Sequence, residues 1–154
     1  MKKIILIQIN HSEDHSEKIL PLGILSVGSA LKKHGFEVEL ININEKEIEA
    51  AVNGVISKNP LLYVGFSVMT GRQTKHSAEM SKKLKERADV KIMWGGIHPS
   101  LLPEQCLGEN YIDFIVVGEG EETAVEFSRK LEAGERLDGV LGLGYKEGTS
   151  VKIN

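Results

Sequence analysis

The sequence predicts a doubly wound α/β domain, a five-stranded parallel sheet with helices on both faces. Two observations carry the prediction. Short apolar runs alternate five times with amphipathic stretches, and parallel neighbours require such crossovers, which are right-handed. The runs are also apolar on both faces, as strands buried between two helical layers are. At 154 residues the chain suits one domain around one core.

The elements follow in order. "KIILIQI", Lys3 to Ile9, is β-branched throughout and reads as a buried strand. A helix opens at Pro21, whose missing N–H costs nothing in a first turn, carries Ile24, Val27 and Leu31 on one stripe, and stops at Gly35. "EVELIN" is the second strand. Glu45 to Lys58 places Ile48, Val52, Val55 and Ile56 at helical spacing, and Asn59-Pro60 ends it. "LLYVGFS" is the third strand, followed by a polar helix from Arg72 to Arg87 with Met80 and Leu84 inward. "VKIMWGG" is the fourth strand and "DFIVVG", Asp113 to Gly118, the fifth, with a short helix between them near Pro103 to Leu107. The last helix, Glu122 to Ala133, buries Ala124, Phe127 and Leu131 and stops at Gly134. "GVLGLGYKEGTSVKIN" alternates weakly around a glycine turn, which predicts a small hairpin.

Composition removes several function classes. The 19 basic and 22 acidic residues, net charge −3, are spread along the chain, which is no footprint for nucleic acid. A single cysteine, Cys106, excludes an internal disulfide, a Cys-rich zinc site and a self-contained iron–sulfur cluster. Cys106 itself reads as a small buried residue rather than a nucleophile, with no base recognisable beside it. The opening apolar run is too short for a signal peptide or a membrane span. A cytoplasmic protein is expected.

In a doubly wound sheet, ligands sit beyond the carboxyl ends of the strands, and here the chemistry-bearing residues gather at those ends. Strand one leads through "NHSEDHSEKIL" to "PLG", strand three to "SVMTG", strand four to "GGIHP" and strand five to "GEGEE". Each junction offers small residues, hydroxyls or carboxylates, and glycines let backbone approach a ligand. Any one of them alone is more often a tight turn; four together favour an extended ligand. The familiar cradles are missing. No glycine follows strand one where a dinucleotide fingerprint needs three, "GLGYKEG" has the wrong spacing, and there is no P-loop. Ser67 stands where a phospho-receiver has aspartate. His11 and His15 lie near Glu13 and Asp14, a pattern that more often is solvated than metal-binding. Glu119, Glu121 and Glu122 suit helix capping and ligand hydrogen bonding better than acid–base catalysis.

"PLGILSVGSALKKHGFEVELIN", "VGFSVMT", "WGGIHPSLLPEQCL" and "DFIVVGEGEET", in this order and spacing, resemble the N-terminal cobalamin (B12)-binding domain of B12-binding radical S-adenosylmethionine enzymes. The resemblance covers essentially the whole chain. It implies a Rossmann-like, flavodoxin-type fold with strand one central, residues 1–138 forming the cobalamin domain and 139–154 a hairpin leading to a radical domain. It also implies cobalamin bound with its dimethylbenzimidazole tail off the cobalt and buried, and the corrin across the strand ends. By the same resemblance Leu22 and Gly23 lie near the corrin. Gly95 and Gly96 clear a slot for the tail, Ser67 and Thr70 donate to it, and His98 with Pro99 shapes the loop. Gly118, Glu119, Gly120 and Glu121 border the tail. A bulky residue at Gly96 is then expected to abolish cobalamin uptake with little loss of stability.

Two departures qualify what the resemblance implies. Where other B12 domains carry Asp-x-His-x-x-Gly, this chain has "EDHSEK", with Glu13 and Lys18 at the flanking positions, so no histidine ligand to cobalt is expected. The cysteines that hold a 4Fe-4S cluster are absent. The chain is therefore expected to be part of a longer enzyme, or a stand-alone domain, and not to catalyse alone. In the parent, the cluster and S-adenosylmethionine belong to the C-terminal radical domain, and methyl transfer or a related radical reaction is implied. Two rivals remain at this point. One is a B12-like fold that has lost its cofactor and serves docking or dimerisation. The other is a flavodoxin-type flavin or nucleotide binder, disfavoured by the lack of a Ser/Thr-rich phosphate loop after strand one.

Overall fold

A computed structural model describes residues 2–10 and 19–154. Its elements are β1 (Lys3–Asn10), α1 (Leu22–Lys33), β2 (Val38–Asn44), α2 (Ile48–Ile56), β3 (Leu61–Ser67), α3 (Arg72–Arg87), β4 (Ile92–Gly95), α4 (Ile97–Leu101), α5 (Pro103–Gly108), β5 (Phe114–Val116), α6 (Glu121–Ala133), β6 (Leu143–Glu147) and β7 (Ser150–Ile153). The strands form one sheet in the order β2-β1-β3-β4-β5-β6-β7. The first five are parallel, and the β6–β7 hairpin extends the sheet antiparallel from β5.

Side chains alternate across the strands and so divide the core in two. Ile5, Ile7, Ile9, Val64, Phe66, Ile92 and Trp94 face α2, α3 and α5. Ile4, Leu6, Tyr63 and Met93 face α1 and α6. The predicted doubly wound class is therefore present.

Three details differ from the sequence reading. Strand β1 is not central: it lies one strand in from the β2 edge, and β3 occupies the middle of the parallel five. The helix expected from Glu45 begins as a single 3-10 turn, Glu45–Glu47, because the Glu47 carboxylate folds back to accept from the Asn44 amide at 2.8 Å. Between β4 and β5 there are two short helices rather than one, and "IHPSL" forms the first. Pro99 is tolerated there because it stands in the opening turn, where an N–H has no helical partner.

The hairpin is part of the packed body. Val140, Leu143 and Tyr145 are buried in the α1/α6 core. Asp138 gathers it from below, accepting from Arg136 Nε at 2.7 Å, from the Tyr145 hydroxyl at 3.2 Å and from Lys152. Those donors hold the Asp138 carboxyl well below the usual carboxylate range, Lys152 contributing most.

Candidate cofactor site at the carboxyl ends of the strands

A cavity of about 380 Å³ opens at the carboxyl edge of the sheet, between β3 and β4 beneath and the first turns of α1 and α6 above. Its floor follows from the register. Leu6, Gly65 and Met93 stand side by side across β1, β3 and β4, and one step nearer the strand ends Ser67 stands beside Gly95. On this face the two strands read Tyr63, Gly65, Ser67 and Met93, Gly95, so the side chains dwindle toward the ligand edge. Ser67 and Gly95 open a trough where larger residues would close it, while at Gly65 the place of a Cβ is taken by Leu6 Cδ2 at 2.8 Å.

The two neighbouring glycines do different things. A Cβ added to Gly95 would meet nothing nearer than Val116 Cβ at 3.8 Å, and its backbone is ordinary strand. Gly95 leaves space that a side chain would otherwise fill. Gly96 has φ +98°, and a Cβ there would lie 2.9 Å from the Val68 carbonyl oxygen. Only glycine suits that turn. The sequence expectation that Gly96 tolerates a bulky residue with little stability loss is thereby corrected: the backbone itself forbids it.

Around the mouth, Ser100 joins two strand-end loops. Its hydroxyl donates to the Gly96 carbonyl at 2.7 Å and accepts from the Gly118 amide at 3.0 Å. Glu121, at the start of α6, accepts from the Ser26 hydroxyl on α1. That hydrogen bond, with backbone amides at the helix start, holds the Glu121 carboxyl below its ordinary range despite partial burial. Neither α1 nor α6 carries a side-chain cap at its amino end.

Of the residues singled out in the sequence, Gly23, Ser67, Gly95, Gly96, Gly118, Glu119, Gly120 and Glu121 all line this one cavity. Leu22, Thr70 and His98 do not. Leu22 is exposed beside Gly23. His98 is buried, packs its ring near Trp94 and meets the Thr70 hydroxyl at 3.3 Å through Nδ1, so the two hold each other. His11 and His15 lie outside the described residues, as do Glu13 and Lys18. Sequence reasoning missed Tyr63, Gly65, Met93 and Ser100. For Gly65 there was a signal, an isolated glycine inside an apolar strand, which marks close backbone approach.

Cys106 is buried, and burial, with Glu109 nearby, pushes its thiol up, away from thiolate chemistry. Among the described residues no group of three His, Cys, Asp or Glu is placed to hold a metal ion. No helix among them is long and apolar enough to cross a membrane.

The family model of the B12 binding domain matches residues 16–128. This chain belongs to the B12-binding domain family. The domain is 33% identical over 140 residues to an anaerobic magnesium-protoporphyrin IX monomethyl ester cyclase from Synechocystis sp., covering 84% of this chain and 27% of that protein. It is 32% identical over 108 residues to an uncharacterized methyltransferase from Pyrococcus horikoshii, covering 70% of this chain and 21% of that protein.

Among solved structures, the cobalamin-dependent S-adenosylmethionine radical enzyme OxsB, with aqua-cobalamin and S-adenosylmethionine bound, has a TM-score of 0.82 and 25% identity, covering 100% of this chain and 22% of that one. The radical S-adenosylmethionine methyltransferase TsrM from Kitasatospora setae, with cobalamin and a 4Fe-4S cluster bound, has a TM-score of 0.81 and 20% identity, covering 98% of this chain and 28% of that one. With TsrM the likeness is one of fold. The B12-binding domain thus spans between about a fifth and three tenths of the length of these proteins, and it resembles the corresponding domain of cobalamin-dependent radical S-adenosylmethionine enzymes.

Proposed function

We propose that this domain holds cobalamin for a radical S-adenosylmethionine enzyme, with the nucleotide tail in the cavity over β3 and β4 and the corrin beyond the strand ends. The observation that carries the reading is the trough of Ser67 and Gly95 at the centre of the sheet's carboxyl edge. The fit is chemical as well as spatial. The walls are apolar, as an aromatic base requires, and the hydroxyls and carboxylates of Ser67, Ser100, Glu119 and Glu121 lie at the mouth. There they suit ribose hydroxyls and the amide N–H groups of a corrin, which are costly to bury unpaired. The amino end of α1 carries no side-chain cap and brings a positive helix-dipole end to the same mouth, where the tail's phosphodiester is to be accommodated, whereas the first amides of α6 are taken by the Glu121 carboxylate.

Bound cobalamin supplies a cobalt centre able to carry a methyl group. The chain's own part is to hold the tail away from that cobalt, keep water out of the trough and present one face outward. No histidine from the protein reaches the cobalt in this reading, since "EDHSEK" lacks the Asp-x-His-x-x-Gly pattern. Leu22, Met69, Ile97 and Leu101 are exposed apolar residues on the segments that form the mouth, and the radical domain of a longer parent chain is the proposed cover, with residues 139–154 leading toward it. The 4Fe-4S cluster and S-adenosylmethionine are assigned to that domain.

The test is retention. The purified domain is mixed with hydroxocobalamin and with methylcobalamin, freed of unbound ligand, and read by visible spectrum. Near-equimolar cobalamin with a base-off spectrum is the expected result. No retention, by this chain or by one extended through a radical domain, would refute the reading.

A further inference from the structure

The cavity is polar only at its mouth. Its depth is walled by Leu6, Tyr63, Met93 and Val116 from the sheet and by Val27 and Ala124 from the helices. The single hydroxyl there is already committed. Ser128 Oγ gives its hydrogen to the Ala124 carbonyl at 2.6 Å, so the Tyr63 hydroxyl, 3.1 Å away, donates to Ser128. Both side chains are fully buried. The backbone of β3 and β4 is engaged in the sheet ladder, and beyond the ladder the Gly95 carbonyl accepts from the Val68 amide at 2.8 Å. Ser67, at the strand end, carries the nearest free-standing hydroxyl; deeper than Ser67, the described lining residues offer an incoming base no hydrogen-bond donor.

We propose that this floor makes the domain selective among corrinoids, accepting a tail that ends in dimethylbenzimidazole, with a single ring acceptor, and disfavouring one that ends in the more polar purine adenine. The inference rests on the corrinoid reading above. The two bases are similar in size, so shape does not separate them. A purine adds ring-nitrogen acceptors and an exocyclic amine, and each unpaired polar group taken from water is opposed. A pocket that merely lacks partners rejects such an isostere by roughly ten- to a hundredfold rather than absolutely.

The experiment is an equilibrium titration of the 154-residue chain with three corrinoids: cobalamin, the same cobamide with adenine in place of dimethylbenzimidazole, and cobinamide, which has no nucleotide. Cobalamin is expected to bind roughly ten- to a hundredfold tighter than the adenine form, and the adenine form little better than cobinamide. Met93→Gln, which puts an amide of similar length on the floor, is expected to narrow the preference several-fold. Val116→Thr is the milder variant should M93Q fail to fold. Equal affinity for the two nucleotide-bearing corrinoids overturns this inference and leaves the corrinoid site standing. Failure of all three to bind, by this chain and by one extended through a radical domain, overturns both.

Discussion

Gly95→Val is the sharpest perturbation the site allows, because the stability of the protein and its ligand uptake should move in opposite directions. The strand backbone at Gly95 suits a β-branched residue, and the nearest atoms to a new Cβ are Val116 Cβ at 3.8 Å and the Phe66 carbonyl oxygen at 4.0 Å. Three added carbons enter an apolar trough. At about 0.8 kcal/mol per buried methylene, less the side-chain entropy lost and the incomplete enclosure, the apo protein should gain about 1 kcal/mol. For a chain of this size that is a rise of roughly 2–4 °C in Tm. The same carbons occupy the place proposed for the tail, so cobalamin uptake should fall at least tenfold. Gly96→Ala is the control with the reverse signature: its Cβ would press the Val68 carbonyl at 2.9 Å from a backbone of φ +98°, which should destabilise by about 1–3 kcal/mol. Thermal melts of the two apo variants and spectral titration with cobalamin read both quantities. A Gly95→Val protein that takes up cobalamin like the wild type, or melts as low as Gly96→Ala, would refute the claim that Gly95 is small for a ligand.

Other outcomes follow from the same geometry. Tyr63→Phe should cost about 1 kcal/mol in chemical denaturation, the value of one buried hydrogen bond to Ser128, and leave cobalamin affinity unchanged. Ser26→Ala removes the main support of the lowered Glu121 carboxyl. A depressed acid stabilises the fold above its unfolded pKa and ceases to as pH falls through its folded one. The variant should therefore be less stable at pH 7, by under about 1 kcal/mol for so exposed a pair, and match the wild type in acid. Asp138→Asn should release the β6–β7 hairpin, seen as faster amide exchange at residues 143–153 with β1 and β3 unaffected. In the wild type the same loosening should come only at a pH well below the ordinary carboxylate range, since Lys152 and Arg136 hold Asp138 ionised.

The order and class of the elements were legible because burial on two faces and the return of glycine or proline at each boundary are local signals. Eight of the eleven residues named from the sequence line one cavity, since strand carboxyl ends in this topology converge whatever the details. What escaped depends on which face a residue takes. Tyr63 and Met93 read as core, and they are core; only the register shows that they also floor a cavity. Thr70 and His98 sit at the right strand ends, but the turn at Gly96 carries His98 into a buried place beside Trp94, where its amide donates to the Val68 carbonyl at 3.0 Å. Ser100 was passed over because "IHPSL" reads as loop, with proline hiding a first helical turn.

The two faces of the sheet argue most directly that the trough belongs to a ligand. Along β3 and β4 the face toward α2 and α3 keeps full-sized side chains to the strand ends, with Val64 then Phe66, and Ile92 then Trp94. The opposite face of the same strands tapers from Tyr63 through Gly65 to Ser67 and from Met93 to Gly95. Residues in strict alternation are thus large on one side and small on the other, over the same few ångströms of backbone. Packing accounts for Gly65, where an added Cβ would lie 2.8 Å from Leu6 Cδ2, but not for Gly95, where it would meet nothing nearer than 3.8 Å. A closed void of 380 Å³ would cost on the order of 9 kcal/mol at about 24 cal/mol per Å³, comparable to the whole stability of a typical domain. Because this one opens to solvent at the mouth the cost is smaller, but its depth is apolar and water gains little there. A group that is aromatic at one end and polar at the other removes the deficit, and that is the chemistry of a nucleotide tail entering base first.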